Sequence, residues 1–164
     1  MVAILMATYN GETYMKEQLD SLFTQTYQDF KLYVSDDAST DATYSILQSY
    51  QKKYPEKVFL YRNNTDHHGA KHNFMGLMLR HKAQYVMLCD QDDVWKPRKI
   101  EMTMQKMYQL KEGYGESTPI LVHTDLEVVD QSLHTVSTSF KKAMGANYSR
   151  THLRQIVIQN IVTG

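Results

Sequence analysis

Val2-Ala3-Ile4-Leu5-Met6-Ala7, running on into Thr8-Tyr9-Asn10-Gly11-Glu12, is the stretch from which the rest of the chain is read. A short, continuous apolar run closed by an Asn-Gly turn is the pattern of a strand buried on both faces, as central strands of parallel sheets are. Met15, Leu19, Leu22 and Phe23 then recur at helical spacing through about Tyr27, which predicts an amphipathic helix after the strand.

The same unit repeats. Residues 30–34 predict a second strand ending in Ser35-Asp36-Asp37, and Ser39 or Thr40 is placed to cap a helix carrying Ile46, Leu47, Tyr50 and Tyr54 until Pro55 stops it. Residues 58–61 predict a third strand, Asn63-Asn64 to Gly69 a polar loop, and Phe74, Leu77 and Met78 a third helix. Residues 85–88 form a fourth strand running into Asp90-Gln91-Asp92-Asp93. Pro97 suits the first turn of a further helix with Ile100, Met104, Met107 and Tyr108 on its apolar face. Ile120-Leu121-Val122, residues 126–129 and Ile156-Val157-Ile158 look like later strands.

Alternating strands and helices predict an α/β fold, a mostly parallel central sheet with helices on both faces, because parallel strands need crossover connections. Ligands on such sheets bind at the carboxyl ends of the strands. Ala7-Thr8-Tyr9-Asn10, Asp36-Asp37 and Asp90-Gln91-Asp92 all converge on that edge.

At 164 residues one domain with one core is the expectation. The formal net charge is +0 with both signs scattered, which removes the electrostatic case for a nucleic-acid partner. Cys89 is the single cysteine, so no internal disulfide or multi-cysteine metal site forms, and its apolar surroundings make it a packing residue. No apolar stretch reaches the roughly 18 residues of a membrane span, so a cytoplasmic, soluble chain is expected.

Leu88-Cys89-Asp90-Gln91-Asp92-Asp93 places three carboxylates in four positions straight after a buried strand. Carboxylates at i and i+2 of an extended segment point the same way, and hard oxygen ligands of this kind suit Mg²⁺ or Mn²⁺ that also holds a diphosphate. Asp90 and Asp92 are therefore the candidate metal ligands. Against this stands the commoner role of a bare D-x-D as a solvated acidic turn.

Asp36 and Asp37 end the second strand, where a carboxylate can accept from a base N–H or ribose hydroxyls; an Asx turn is the plainer alternative. Thr8, Tyr9 and Glu12 offer backbone groups, a ring to stack on a base and a first-turn acid, or simple capping. His67, His68 and His72 with Lys71 form a small basic cluster beside Gly69, otherwise a solvated loop. His123 with Asp125 lacks a third ligand and is read as structural. Glycine-rich dinucleotide, phosphate-loop and serine-hydrolase motifs are missing.

These motifs together resemble those of glycosyltransferase family 2, whose members share the GT-A fold. Ala7-Thr8-Tyr9-Asn10-Gly11 resembles the family's opening strand motif, Val34-Ser35-Asp36-Asp37-Ala38-Ser39-Thr40-Asp41 its second, and Leu88-Cys89-Asp90-Gln91-Asp92-Asp93-Val94-Trp95 its D-x-D motif, at spacings of about 28 and 54 residues.

The resemblance covers nearly the whole chain. It implies that Ala7, Tyr9 and Glu12 lie around base and ribose, that Asp37 contacts the base, that Asp90 sits near the ribose, that Gln91 is among the donor-binding residues, and that Asp92 binds a divalent cation, Mn²⁺ or Mg²⁺, bridging the diphosphate. Gly69 and Asn73 match a segment that usually carries an Arg before its Asn; Lys71 and His72 stand there instead.

Cys89-Asp90-Gln91-Asp92-Asp93-Val94-Trp95, His123-Thr124-Asp125-Leu126 and Asn160-Ile161-Val162-Thr163-Gly164 are similar to phrases in bacterial rhamnosyltransferases of cell-wall and capsular polysaccharide synthesis. The implied enzyme is an inverting glycosyltransferase, with dTDP-L-rhamnose as donor and a growing polysaccharide or glycolipid as acceptor, working in the cytoplasm at the inner face of the cell membrane.

The resemblance further implies that residues 1–164 are a C-terminally truncated donor-binding domain, with the acceptor side and the catalytic base beyond Gly164. Two other readings stay open at this point. A Mg²⁺-dependent nucleotidyltransferase would want a basic, glycine-rich loop after the first strand. A non-catalytic interaction domain would make the Asp clusters solvated loop ends.

Overall fold

The computed structural model describes residues 1–145, and Ile156-Val157-Ile158 and Asn160-Ile161-Val162-Thr163-Gly164 lie outside them. The chain divides into two compact units, Met1–Met102 and Thr103–Gly164. In the first, strands β1 (Val2–Thr8), β2 (Phe30–Asp36), β3 (Val58–Arg62) and β4 (Tyr85–Cys89) alternate with helices α1 (Glu12–Phe23), α2 (Thr43–Lys53) and α3 (Ala70–Arg80). They form one sheet in the order β3-β2-β1-β4, parallel throughout, with the apolar opening strand at an inner position as its uniform hydrophobicity predicts.

Strand alternation divides the core. Ala3 and Leu5 meet Leu77 and Phe74 of α3, with Tyr33 and Tyr61 beside them. On the opposite face Ile4 and Met6 lie level with Leu32 and Val34 of β2 and with Met87 and Cys89 of β4. There α1 packs, and its buried Gln18 donates to the Cys89 thiol. Helices thus cover both faces, and the α/β expectation holds. Burial pushes the Cys89 thiol well above its usual range, so this cysteine is packing.

Four local readings need correction. The first helix stops at Phe23 rather than near Tyr27, because Gln25 leaves the helical path to donate to the Trp95 and Lys96 carbonyls and accept from the Ile100 N–H. Ser39 and Thr40 do not cap α2. The Ser39 hydroxyl is engaged by Asp36 and Asn10, and Asp41 and Glu12 accept from the Thr43 and Ala42 N–H groups instead.

Met78 is not on the packed side of α3, since Leu77 is 3% exposed and Met78 39%. Finally, Ile120-Leu121-Val122 forms no strand, and residues 126–129 contribute only the two-residue β5 (Val128–Val129). A strand exists only where a neighbour completes its ladder, and β5 finds one in β6 (Thr135–Ser137), a short antiparallel partner that sequence periodicity does not reveal.

The helix α4 (Lys99–Tyr114) begins just after Pro97 and runs across the boundary between the units. In the second unit Ser139 caps α5 (Phe140–Ala143), and Asp125 accepts from the Ser139 hydroxyl and from the Leu126 and Lys141 N–H groups. Asp125 is thereby engaged structurally, and His123 lies 3.3 Å from the Lys141 ammonium. Among the described residues no helix is long and apolar enough to cross a membrane.

The split between the neighbouring α3 side chains is testable. Leu77→Ala is expected to cost about 2–5 kcal/mol in urea unfolding, whereas Met78→Ala should stay within about 0.5 kcal/mol. Equal losses would place the α3 face wrongly.

Candidate functional site

Parallel pairing brings Thr8 level with Asp36 and Met6 level with Cys89, so the loops after β1, β2 and β4 leave the sheet at one edge. There they line an open cleft of about 300 Å³ with the start of α3. Of the sequence candidates, Ala7, Thr8, Tyr9, Asp37, Asn73, Asp90, Gln91 and Asp92 line it; Glu12, Asp36 and Lys71 do not. Gly69, Ala70 and Phe74 complete the wall. Helical spacing places Phe74 only on a helix face, and nothing in its periodicity distinguishes a core side chain from one at the rim of a cleft.

The two adjacent carboxylates of β2 separate because successive side chains leave a strand on opposite sides. Asp36, 0% exposed, turns toward the α1 and α2 side, where it accepts from the Thr8 hydroxyl and from both the N–H and the hydroxyl of Ser39. Its oxygens are spent on holding the β1 and β2 loops together. Ala38 follows with φ 59, a left-handed conformation that a non-glycine side chain resists, and the chain turns there.

Asp37 faces the other way, toward α3. Its carboxylate accepts from Asn63 Nδ2 at 2.7 Å and from the Gly69 N–H at 2.7 Å, with His68 Nδ1 at 2.9 Å. Burial opposes its ionisation, but the Gly69 N–H and then the Asn73, His68 and Asn63 side chains more than offset this and lower its pKa to about 2. Asp37 therefore stays ionised and pins the loop that leads into α3. Asn63, which sequence reading treated only as loop, is the hub of this loop: it also donates to the His67 carbonyl and accepts from Thr65. Of the basic cluster, His68 is drawn in, while His67 and His72 stack on each other with ring centres 5.5 Å apart and Lys71 stays at the surface.

Glu12 accepts from the Ala42 N–H at 2.7 Å, so it holds the start of α2 and does not reach the cleft. Asn10, at φ 45, accepts from the Thr40 N–H, a local bond of the kind that lets Asn adopt this conformation.

After β4, the Gln91 amide turns toward Tyr9, while Asp90 and Asp92 both face the cleft. Desolvation first and the Asp92 charge second raise the Asp90 pKa; burial, then Asp90 and Asp92, raise that of Asp93. Lys99 partly compensates these charges, and burial holds its own pKa down. A carboxylate whose pKa is raised by a neighbouring charge, as Asp90 is by Asp92, favours a hard divalent cation, since the ion removes that repulsion. Among the described residues no third His, Cys, Asp or Glu joins them as a cluster. Two carboxylates fit a Mg²⁺ or Mn²⁺ site of the kind completed by phosphate oxygens and water.

A cleft at the carboxyl ends of parallel strands, with two carboxylates in its wall, is where α/β sheets of this kind bind ligands. The Glycosyl transferase family 2 model matches residues 3–155, and the chain belongs to that family. It is 37% identical over 99 residues to the dTDP-rhamnosyl transferase RfbG of Shigella flexneri, a match covering 58% of this chain and 34% of RfbG.

Among solved structures, the Pyrobaculum calidifontis mannosyltransferase PcManGT in complex with GDP-Man and Mn²⁺ superimposes with a TM-score of 0.60 at 22% identity, covering 77% of this chain and 35% of that one. Staphylococcus aureus TarS 1-349 in complex with UDP gives 0.57 at 21% identity, covering 78% and 41%. The chain spans between 34% and 39% of the length of the curated relatives it first matches.

Asp37→Ala leaves the Asn63 and Gly69 donors without their acceptor and is expected to lower stability by roughly 1–3 kcal/mol at neutral pH. Because the folded-state pKa is held below the ordinary 3.8, the stabilisation is full above that value and is lost as pH falls toward 2. Melting curves of wild type and variant should therefore converge on acidification from pH 5 to pH 3. A gap that widens would contradict the assignment.

Proposed function

We propose that residues 1–164 form the donor-binding domain of an inverting glycosyltransferase. The observation that carries this reading is the convergence of Tyr9, Asp37, Asp90 and Asp92 from three parallel strand ends on one cleft. Tyr9, 56% exposed at the rim, offers its ring to a base. Asp37 is held ionised with its carboxylate at the cleft, placed to accept from a base N–H. Asp90 and Asp92 would hold a Mn²⁺ or Mg²⁺ ion against the diphosphate, and the ion would neutralise charge on the departing nucleotide.

Transfer would be a single in-line displacement. The acceptor hydroxyl oxygen bonds to the anomeric carbon as the carbon–phosphate-oxygen bond breaks, and the nucleoside diphosphate leaves with the electron pair. The hydroxyl proton needs a base. Asp37 is too weak a base at a pKa of about 2, and Asp90 and Asp92 would be held by the cation, so in this reading the cleft's own carboxylates would serve the donor and not the proton.

Similarity to RfbG supports dTDP-L-rhamnose as the donor, and family membership favours glycosyl transfer over nucleotidyl transfer or a purely structural role. The acceptor in this reading is a growing polysaccharide or lipid-linked saccharide at the cytoplasmic face of the membrane.

Calorimetric titration with dTDP, UDP and GDP, with and without Mn²⁺, tests the reading. Expected are Mn²⁺-dependent binding, preference for dTDP, and a loss of tenfold or more in affinity, about 1.4 kcal/mol, in Asp92→Ala. Preference for UDP or GDP would refute the rhamnose donor alone. Absence of all nucleotide binding would refute the donor site.

A further inference from the structure

The middle residue of the acidic motif, Gln91, has no carboxylate and yet makes the most specific contact in it. Its Oε1 accepts from the Tyr9 N–H at 2.8 Å and its Nε2 donates to the Tyr9 carbonyl at 3.1 Å. The pairing allows one orientation of the amide only, because a backbone N–H can only donate and a carbonyl only accept. The last backbone pairing of β1 with β4 is Met6 with Cys89. Gln91 thus continues the β1–β4 ladder past the strand ends with a side chain standing in for a peptide group.

A second observation concerns Gly11. A Cβ at this position would lie 2.6 Å from Gln91 Oε1 and 2.7 Å from its Cδ, far inside contact distance. Gly11 has φ −108, accessible to any residue, so its need for hydrogen as a side chain comes from the approach of Gln91. Gly11 is itself pinned: its N–H donates to the Thr43 hydroxyl at 2.8 Å, and its carbonyl accepts from the Tyr14 and Met15 N–H groups that open α1.

We propose that Gln91 is a positioning residue, locking the Asp90–Asp92 segment to the β1 loop at a spacing that leaves no room for a Cβ at position 11 while Gln91 keeps its two bonds to Tyr9. The lock sets the carboxylates at a fixed distance from Tyr9. In terms of the donor-site reading on which this rests, it sets the span between base and diphosphate. Gln91 touches neither the cation nor the reacting atoms in this role. It acts through Tyr9 and its two acidic neighbours.

The test is a double-mutant cycle on the full chain with Gly11→Ala, Gln91→Ala and the combination, read by melting temperature and by dTDP affinity with and without Mn²⁺. Gly11→Ala alone should lower the melting temperature by several degrees, and in the Gln91→Ala background most of that loss should vanish, because the clashing group is gone.

Gln91→Ala should cut the gain that Mn²⁺ confers on dTDP affinity by about fivefold to tenfold, the scale of two lost hydrogen bonds, a larger factor than it takes from metal-free affinity. A general loss of folding would reduce both affinities together. Gln91→Glu keeps the acceptor but sets a carboxylate oxygen against the Tyr9 carbonyl, so it should not rescue the Mn²⁺ gain.

Additive melting shifts overturn the lock. Wild-type Mn²⁺-dependent binding that Gln91→Ala leaves intact overturns the positioning role while the donor site stands. Wild type that binds no nucleotide overturns the donor site and the positioning role with it, and the melting cycle then decides the lock alone.

Discussion

The parallel pairing of β1 with β2 on one side and β4 on the other governs the first unit. Val2 to Met6 of β1 have fixed partners on both sides, and Ala7 and Thr8 pair on with β2, so the three strand ends emerge at one edge and in one order. That constraint makes Tyr9, Asp37 and Asp90 neighbours although the sequence separates them widely. It also decides which side chains see the core: Ile4 and Met6 look to one helical layer and Leu5 to the other, and no polar residue fits along the strand until Thr8.

Polar side chains then hold the strand ends in place. Asp36, fully buried, ties the β1 loop to the β2 loop. Asp37 ties the β2 loop to the start of α3. Gln91 ties the β4 loop back to β1. Asp36 and Asp37 do so as acceptors with several donors each, and Gln91 by accepting from and donating to Tyr9, arrangements that are stable only when all members are present. The loops lining the cleft are consequently positioned before any ligand arrives, and pre-positioned groups bind without the cost of ordering them.

Such a scaffold separates two kinds of acid. Asp36 and Asp37 both accept several hydrogen bonds from the protein, although Asp37 also lines the cleft. Asp90 and Asp92 instead crowd each other, with Asp93 nearby and Lys99 in partial compensation. The first pair stabilises the fold and the second leaves a concentrated negative charge at the mouth of the cleft, the electrostatic setting a divalent cation needs.

Much of this was legible in the residues themselves. The apolar run 2–7, the helical spacing of Met15, Leu19 and Leu22, and the polar clusters after three strands determined the α/β class and the edge on which the candidate residues meet, because hydrophobic period and strand polarity are local properties of a chain. Eight of the candidate residues do line the cleft.

Which carboxylate faces which way was not legible. Asp36 and Asp37 are chemically identical neighbours, and only the pleat of β2 and the positions of Ser39 and Gly69 separate their roles. Gln91 and Gly11 are 80 positions apart and neither is unusual in its own neighbourhood. Their close approach exists only once β1 and β4 lie side by side. The short β5–β6 pair and the irregular path of residues 120–122 follow the same logic, since hydrogen-bond partners remote in sequence decide whether an apolar run becomes a strand. Local pattern determined the elements and the edge on which they carry their polar ends; contact between distant segments alone decided which of those ends bind the protein and which remain to bind something else.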